Sequence, residues 1–357
     1  MISIDKLNFG QMTLTNFEER ITKNQPFISW GADNLFCEEL YKLLDASPIH
    51  NSAVRARVDN CVGNGYVNDY KINSKQYLND VSKQMYFELI TTGNLFLEVV
   101  WRKDRSEGLA GFHVIPSKYM RLHKPDELGQ MPDKYLYCKD WKQWRKAGII
   151  EFSEFDPTNY NTRQIVHIKQ YQPGYDYYGA PTYLSTLNDI KLNHEITVYN
   201  LANIINGCSM GLWVHFNQPA PDSEQEQTTI LNRIEERYQG GENANKVVVS
   251  YGEEGDGKPE ITQIPNNVED GYFSAIFELV QHQILAGHNI PDPSIIGLPP
   301  RTGFSSSAEQ LETAYRIFIN RTIIPMQTFL NRELEDIIQL IYPNEEITLV
   351  IEQNQLL

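Results

Sequence analysis

The alternation of apolar and polar positions gives the first half of the chain a mixed character. Apolar residues recur at helical spacing in 35–45, 53–61 and 75–92, with Ser47 and Asn51 placed as helix caps. Five segments with a strand-like pattern follow at hairpin spacing: NLFLEVVW (94–101), AGFHVIP (110–116), KYLYCKDWK (134–142), GIIEFSEF (148–155) and QIVHIKQYQ (164–172). The pattern predicts an α+β fold over roughly the first 180 residues.

The pattern changes after Pro181, where residues 182–206 run without glycine or proline. The apolar residues of this predicted helix lie on more than one face: Leu184, Leu187, Ile190, Ile196, Tyr199 and Ile204. A helix that is apolar on several sides packs against several neighbours, which here could include other subunits.

A small α/β insert is predicted next. GLWVHF (211–216) and KVVVSYG (246–252) have strand patterns, and the segment 222–240 has a helical one that ends at Gly240. Between Gly207 and Asp270 there are twelve acidic and four basic residues, a net charge of −8. The insert is therefore strongly acidic.

The last third of the chain is predicted to be largely helical. One helix covers about 269–287, and the capping box Ser306-x-x-Glu309 begins another that runs to about Leu340, a length of roughly 50 Å. Its apolar stripe continues on both sides of Pro325, which predicts a kinked helix. Between the two helices lies a loop rich in proline and glycine, and EITLVIEQ (346–353) is predicted to be a closing strand.

Composition and charge narrow the function classes. The 357 residues are 41% apolar, enough for one large domain or two to three ordinary ones. A net charge of −15 argues against a protein that grips nucleic acid over its whole surface, although DNA could still pass such a protein without sticking. The longest uncharged run, 196–214, is too polar for hydrocarbon, and the N-terminus lacks the order of a signal peptide. No membrane partner is expected.

No metal, cofactor or catalytic group stands out. Four cysteines (Cys37, Cys61, Cys138 and Cys208) are widely spaced, which predicts reduced, buried thiols rather than a zinc site. The histidines are scattered, and no nucleophile motif occurs. The sequence therefore favours a non-enzymatic protein without a cofactor.

The segment from Gly252 to Lys258 matches G-x-x-x-x-G-K after a predicted strand, as a phosphate-binding loop does. Pro259, however, stands where such a loop has a magnesium-binding serine or threonine, and the acidic residues Glu253, Glu254 and Asp256 would repel phosphate. An acidic hairpin tip is the favoured interpretation. A cytosolic nucleotide- or phosphate-binding enzyme that uses this loop remains the alternative.

The segment KDWKQWRK (139–146) interleaves two tryptophans with four cations, a pattern typical of surfaces that stack on bases and bind phosphates. An amphipathic turn with its tryptophans packed inward produces the same pattern. The second interpretation is favoured.

The order of these elements and their particular sequences resemble the portal proteins of tailed bacteriophages. The resemblance rests on YYGAPTYLSTLNDIKLNHEITVYNLANIINGCSMG (177–211), GGENANKVVV (240–249) and the loop and long helix from LAGHNIPDPSIIGL onward, with weaker similarity in 29–54 and 91–100. It covers about residues 28–340. It implies a portal fold with a mixed α/β wing, two stem helices, a small α/β clip and a long kinked helix.

The resemblance also implies the role of each segment. Residues 1–182 would form the wing, 183–206 and 269–289 the stem helices, 207–268 the clip, 290–305 the tunnel loop and 306–341 the long wing helix. Residues 342–357 would be a C-terminal strand, with the crown of larger relatives short or absent.

The implied function is a ring, usually of twelve copies, at one capsid vertex, through which double-stranded DNA is packaged and ejected. Implied partners are terminase, head-tail adaptors and the major capsid or scaffolding protein, with assembly in the host cytoplasm and residence in the virion. The expected tunnel-loop residues are Pro291, Asp292, Ile295, Ile296, Leu298, Arg301 and Phe304. The expected docking residues of the clip are Glu253, Glu254 and Asp256. A structural ring that does not conduct DNA would differ only in its bore.

Overall fold

The computed structural model describes residues 17–126, 130–158, 163–205, 212–216, 219, 221, 223, 225–230, 232, 247–252, 260–263, 272–298 and 308–353. By Cα proximity the chain divides into one unit of residues Met1–Ile190 and His282–Leu357 and a second unit of Lys191–Gln281. The described residues form both helices and strands, as the sequence predicted.

The first unit opens with a short hairpin of β1 (Glu19–Ile21) and β2 (Ile28–Trp30), followed by three helices, α1 (Phe36–Ala46), α2 (Pro48–Val62) and α3 (Leu78–Thr92). Ser47 caps α2, because its side chain accepts a hydrogen bond from the N–H of His50, and Pro48 occupies the first helical position. The predicted cap at Ser47 is confirmed, whereas Asn51 lies within the helix.

Six strands then form the main sheet. They are β3 (Asn94–Trp101), β4 (Leu109–Ile115), β5 (Met120–Leu122), β6 (Lys134–Tyr137), β7 (Ile150–Glu154) and β8 (Arg163–Lys169), with the short helix α4 (Trp144–Ala147) before β7. Their order is β4-β3-β8-β7-β6-β5, antiparallel throughout except for the parallel pair β7–β8. The five strands predicted in this region are confirmed.

The main core lies between this sheet and the helices. Phe112 of β4, Leu97 of β3 and Met85 of α3 are fully buried in it, together with Leu330 and Leu334 from near the C-terminus. Burial of apolar surface at this scale is the dominant favourable contribution to folding. The N-terminal and C-terminal parts of the chain therefore share one core.

The long helix near the C-terminus is interrupted. It consists of α7 (Ala308–Phe318), a π-helical segment (Ile319–Ile323) and α8 (Ile324–Ile341). The N–H of Ile324 donates to the carbonyl of Ile319, five residues earlier. Pro325 has no N–H and its ring crowds the carbonyl four residues before it, so the helix widens here. The sequence predicted the place of the irregularity but not its π-helical form.

The predicted C-terminal strand is only an extended segment. Ile351 makes an isolated antiparallel bridge with Tyr66, and the N–H of Val67 donates to the carbonyl of Val350. The partner is the turn after α2 and not a sheet strand, so the pairing stays short.

The second unit contains a three-stranded sheet. Its strands are β9 (Leu212–Phe216), β10 (Val247–Tyr251) and β11 (Glu260–Gln263), with β9 in the centre, parallel to β10 and antiparallel to β11. Residues 225–230 are helical. The helix α5 (Leu187–Ile205) begins in the first unit and ends in the second. The helix α6 (Tyr272–Gly287) begins in the second unit and ends in the first. Within the described ranges, no helix has the length and apolarity needed to cross a bilayer.

Candidate functional site

The loop that follows α6 starts from a tightly built helix end. Asn289 has a positive φ of 55° and lies in the left-handed region, the N–H of Ile290 donates to the carbonyl of Leu285, and the N–H of Asn289 donates to that of Ala286. These two bonds define a Schellman motif, which satisfies carbonyls that the helix end leaves open. The direction in which the chain leaves α6 is therefore fixed.

A pair of buried histidines anchors this helix end. Nδ1 of His50 in α2 lies 2.9 Å from Nε2 of His288, and the ring of Tyr183 packs against both imidazoles at centroid distances of 4.6 and 4.7 Å. All three side chains have zero exposure. One imidazole must donate the hydrogen and the other must accept it, so the two rings cannot both be protonated, and the neutral form of both rings allows the bond.

The surroundings enforce that neutrality. Burial lowers the pKa of His50 to about 3, and burial together with the charges of His50 and Arg57 lowers the pKa of His288 well below its usual value. The hydroxyl of Tyr183 donates to the carbonyl of Thr91 at 2.6 Å, which holds the aromatic ring in place. This anchor was not predicted, because 238 residues separate the two histidines.

A second tie connects the loop to the interrupted helix. The hydroxyl of Thr322, in the π-helical segment, donates to the carbonyl of Asn289 at 3.1 Å. Gly287 packs so closely on Thr186 that a Cβ at this position would lie 2.5 Å from the threonine methyl group. Only glycine fits there.

The described part of the loop itself, 291–298, contains one 3₁₀ turn, Pro293–Ile296. Asp292 caps it by accepting hydrogen bonds from the N–H and the hydroxyl of Ser294, and Gly297, with φ of 80°, closes it. Ile295 and Ile296 are half-buried and pack against the main core. Their apolar character therefore has a structural cause within the subunit.

The other expected loop residues differ in exposure. Pro291 is exposed and Leu298 is half-buried, whereas Arg301 and Phe304 lie outside the described residues. A cavity of about 620 Å³ adjoins the loop, lined by Pro291 and Pro293 with side chains from α6, α7 and the π-helical segment. The described part of the loop thus consists of a capped turn that packs on the main core and an exposed residue, Pro291, that precedes this turn.

The acidic docking residues Glu253, Glu254 and Asp256 also lie outside the described residues. The strands on either side of them are described: β10 ends at Tyr251 and β11 begins at Glu260, antiparallel to β9. A phosphate-binding loop opens a helix directly after its lysine. A strand begins here two residues after Lys258, which argues against the phosphate-binding interpretation.

The tryptophans of the basic segment 139–146 pack as the favoured interpretation predicted. Trp141 is buried, contacts Phe27 edge-on and lies under the guanidinium of Arg121 at 4.9 Å. Arg145 covers the ring of Trp144 at 4.4 Å. Trp141 is therefore packed inward, whereas Trp144 is half-buried beneath the guanidinium of Arg145.

The described cysteines Cys37, Cys61 and Cys138 are free and buried, as predicted, and Cys208 lies outside the described residues. Among the described residues, no group of three or more metal-ligating side chains comes together. The buried polar pair of this region is the histidine anchor, His50 with His288.

Solved structures identify the fold class. The chain resembles a chain in the virion of a native gene transfer agent particle with a TM-score of 0.58 and 17% identity, covering 88% of this chain and 83% of that one. A chain in the neck of a native gene transfer agent particle, computed with C12 symmetry, gives a TM-score of 0.55 at 17% identity, covering 85% and 81%. This chain therefore shares its fold with those two chains.

Sequence comparison defines the family. The model described as "Phage portal protein" matches residues 66–354, so the chain belongs to the phage portal protein family. Two curated relatives are probable portal proteins, one from Haemophilus phage HP1 (strain HP1c1) with 25% identity over 53% of this chain, the other from Escherichia phage P2 with 24% identity over 67%. The matches cover 50% and 62% of those relatives, so the chain spans about half to three-fifths of their length.

Family membership confirms the resemblance seen in the sequence. Portal proteins are structural, non-enzymatic proteins, so membership favours the non-enzymatic interpretation over the nucleotide-binding alternative.

Proposed function

We propose that this chain forms the portal ring at one capsid vertex, the channel through which double-stranded DNA is packaged and ejected. The family match over residues 66–354 carries this proposal. The C12 symmetry of the related neck structure supports a ring of twelve copies. A closed ring needs two different, complementary surfaces on each subunit, and the exposed apolar residues Val198 and Leu201 of α5 and Leu279 of α6 suit such surfaces.

In this ring, residues 1–182 and 306–341 form the wing, the helices of 183–206 and 269–289 the stem, and 207–268 the clip. Residues 290–305 form the tunnel loop, and residues 342–357 pack against the wing. The Schellman motif and the histidine anchor support this assignment, because a loop repeated around a channel must leave each stem helix in the same direction.

The tunnel-loop residues divide into two roles. Asp292, Ile295 and Ile296 hold the turn on the core of their own subunit. Pro291 and Leu298, with Arg301 and Phe304 beyond the described part, form the constriction around DNA. An apolar constriction with few charges touches the duplex without forming strong contacts that each step of movement would have to break.

The acidic clip, with Glu253, Glu254 and Asp256, docks terminase during packaging and head-tail adaptors afterwards. Residues 207–268 carry ten acidic and four basic residues, and repetition of this net charge of −6 around a ring gives a strongly negative surface, which repels phosphates at short range and attracts basic partners. The major capsid or scaffolding protein surrounds the wing. The ring assembles in the host cytoplasm and remains in the virion.

Phage particles that carry loop variants test the channel role. Replacement of residues 299–305 by a glycine–serine linker of equal length leaves the capped turn intact, and we expect rings of normal mass but heads that package or retain less DNA. Ile295→Ala is the matched control, since it weakens the core-packed turn and spares the constriction. Normal DNA content with the linker variant would contradict the assigned constriction, and loss of rings would make the loop a structural joint.

A further inference from the structure

A second cavity, of about 370 Å³, has a buried arginine in its wall. Arg57 of α2 is 2% exposed, its Nη1 donates to the hydroxyl of Thr182 at 2.7 Å, and its Nε has no hydrogen-bond partner. The rest of the wall comes from the segments after β8 and before α5, from Asn289, and from the interrupted helix around Pro325. Exposed side chains such as Tyr171 and Arg321 line it as well, so the cavity is reachable from the surface.

Among the described residues, no carboxylate forms an ion pair with the charge of Arg57. Within the part of the chain that the structure describes, no ion pair involves Arg57 or Arg321. The segment 299–307, next to the described loop in sequence, contains no acidic residue. Burial lowers the pKa of Arg57, which reflects the cost of keeping a guanidinium away from water. A buried charge without a counter-ion is strongly destabilising, so an anionic partner is expected.

The remaining wall indicates what kind of anion fits. Arg321 adds a second, exposed cation, whereas Pro325, Met326 and Phe329 make one side apolar. The Oε1 acceptor of Gln170 is buried without a partner. An occupant that satisfies the whole pocket brings a carboxylate, at least one N–H donor and some apolar surface. A polypeptide carries all three, whereas inorganic phosphate lacks the apolar surface.

We propose that this arginine pocket, formed around Arg57 and Arg321, receives an acidic side chain from a second copy of this chain. With a net charge of −15, each copy carries an excess of carboxylates, whose charge is complementary to that of the arginine pocket. A pocket on one surface and its acidic partner on another form a head-to-tail contact, the type of contact that closes a ring. The inference rests on the ring proposed above and specifies one of its contacts.

Native mass spectrometry of three variants tests the pocket. Arg57→Met replaces the buried charge by an apolar side chain, and Arg321→Glu reverses the exposed one. Arg332→Glu is the matched control, because Arg332 is an exposed arginine of α8 outside the pocket that pairs with Glu333 at 3.0 Å. We expect both pocket variants to need a roughly tenfold or higher protein concentration for half-assembly, and the control to assemble like the wild type.

The outcomes separate this inference from the ring itself. If the wild type and both pocket variants form rings equally well, the pocket contact is wrong and the ring stands. If the wild type does not self-associate, the ring proposal fails and this contact fails with it. If the circular dichroism spectrum of Arg57→Met shows that this variant is unfolded, the assembly of Arg321→Glu alone tests the pocket contact. Equal assembly, with inorganic phosphate raising the melting temperature of wild type but not of Arg57→Met, would identify a free anion as the occupant and overturn the proposal.

Discussion

The large sheet of the first unit and the small sheet of the second differ most in how completely their side chains are buried. In the large sheet, Leu97, Phe112 and Leu136 have zero exposure, and Leu97 and Phe112 belong to the main core that the sheet shares with the helices. Of the described side chains of the small sheet, Val214 is buried, whereas His215, Phe216 and Tyr251 are half-buried. The first unit therefore completes its own core, and the second leaves surface available for partners, which suits the proposed docking role of the clip.

Two phenylalanine substitutions test this contrast and have the largest expected effect on the free energy of unfolding. Phe112→Ala removes a fully buried ring and is expected to lower the free energy of unfolding by about 3–5 kcal/mol. Phe216→Ala removes a half-buried ring that stacks on Tyr251. Because full burial of such a side chain contributes about 1.5–3 kcal/mol, we expect this substitution to lower the free energy of unfolding by about half of that amount. Urea unfolding measures both. Equal losses would mean that the small sheet has a core as tight as the large one.

The histidine anchor predicts a pH dependence of the first unit. The pKa values of His50 and His288 are lowered in the folded state, so the unfolded chain binds more protons once the pH falls below the ordinary value of about 6.5. Stability is therefore fully present above pH 6.5 and declines as the pH falls towards 3, by at most about 1.4 kcal/mol per pH unit for each histidine. Urea unfolding at a series of pH values measures the slope.

The double variant His50→Asn with His288→Gln is the control for this slope. Asparagine and glutamine place amide groups near the two bonded nitrogens without titrating. His167, whose pKa burial and the nearby Lys169 lower to about 3, stays in both proteins and contributes equally. The difference between the two slopes therefore reports the anchor, and identical slopes would contradict its assignment.

The cap of α2 gives the smallest expected effect. Ser47→Ala should lower the free energy of unfolding by about 1 kcal/mol, because the N–H of His50 loses its acceptor, and Ser47→Gly by only a few tenths. Thermal unfolding of the two variants checks the order. Glycine costing more than alanine would show that the hydroxyl of Ser47 is not what stabilises this helix start.

Local sequence patterns predicted those elements of the fold that depend only on residues close together in the sequence. The alternation in 94–101 predicted β3 at its observed bounds, and the strand candidates around β9 and β10 were confirmed in the same way. The π-helical segment was not predictable in form, because Pro325 signals an irregularity without specifying how the backbone resolves it. The closing strand failed as a prediction because a strand needs a partner, and the turn near Tyr66 offers only a short one.

In the candidate site, too, the sequence predicted local features but not the contacts between distant residues. Composition predicted a stiff loop after α6, but it did not predict that Ile295 and Ile296 pack inward, since exposure depends on the fold around them. His50 and His288 come together only through the packing of α2 against the end of α6. The sequence analysis did not single out Arg57; the structure shows that it is buried, that its Nε has no hydrogen-bond partner among the described residues and that it lines a cavity. Contacts between distant residues carry much of the chemistry of this site.

The native mass of the purified chain, measured by light scattering with negative-stain images of the same peak, tests the central claim most directly. We predict a particle near twelve times 41.2 kDa with a central hole. A compact dimer without a bore at every protein concentration examined would contradict the portal ring.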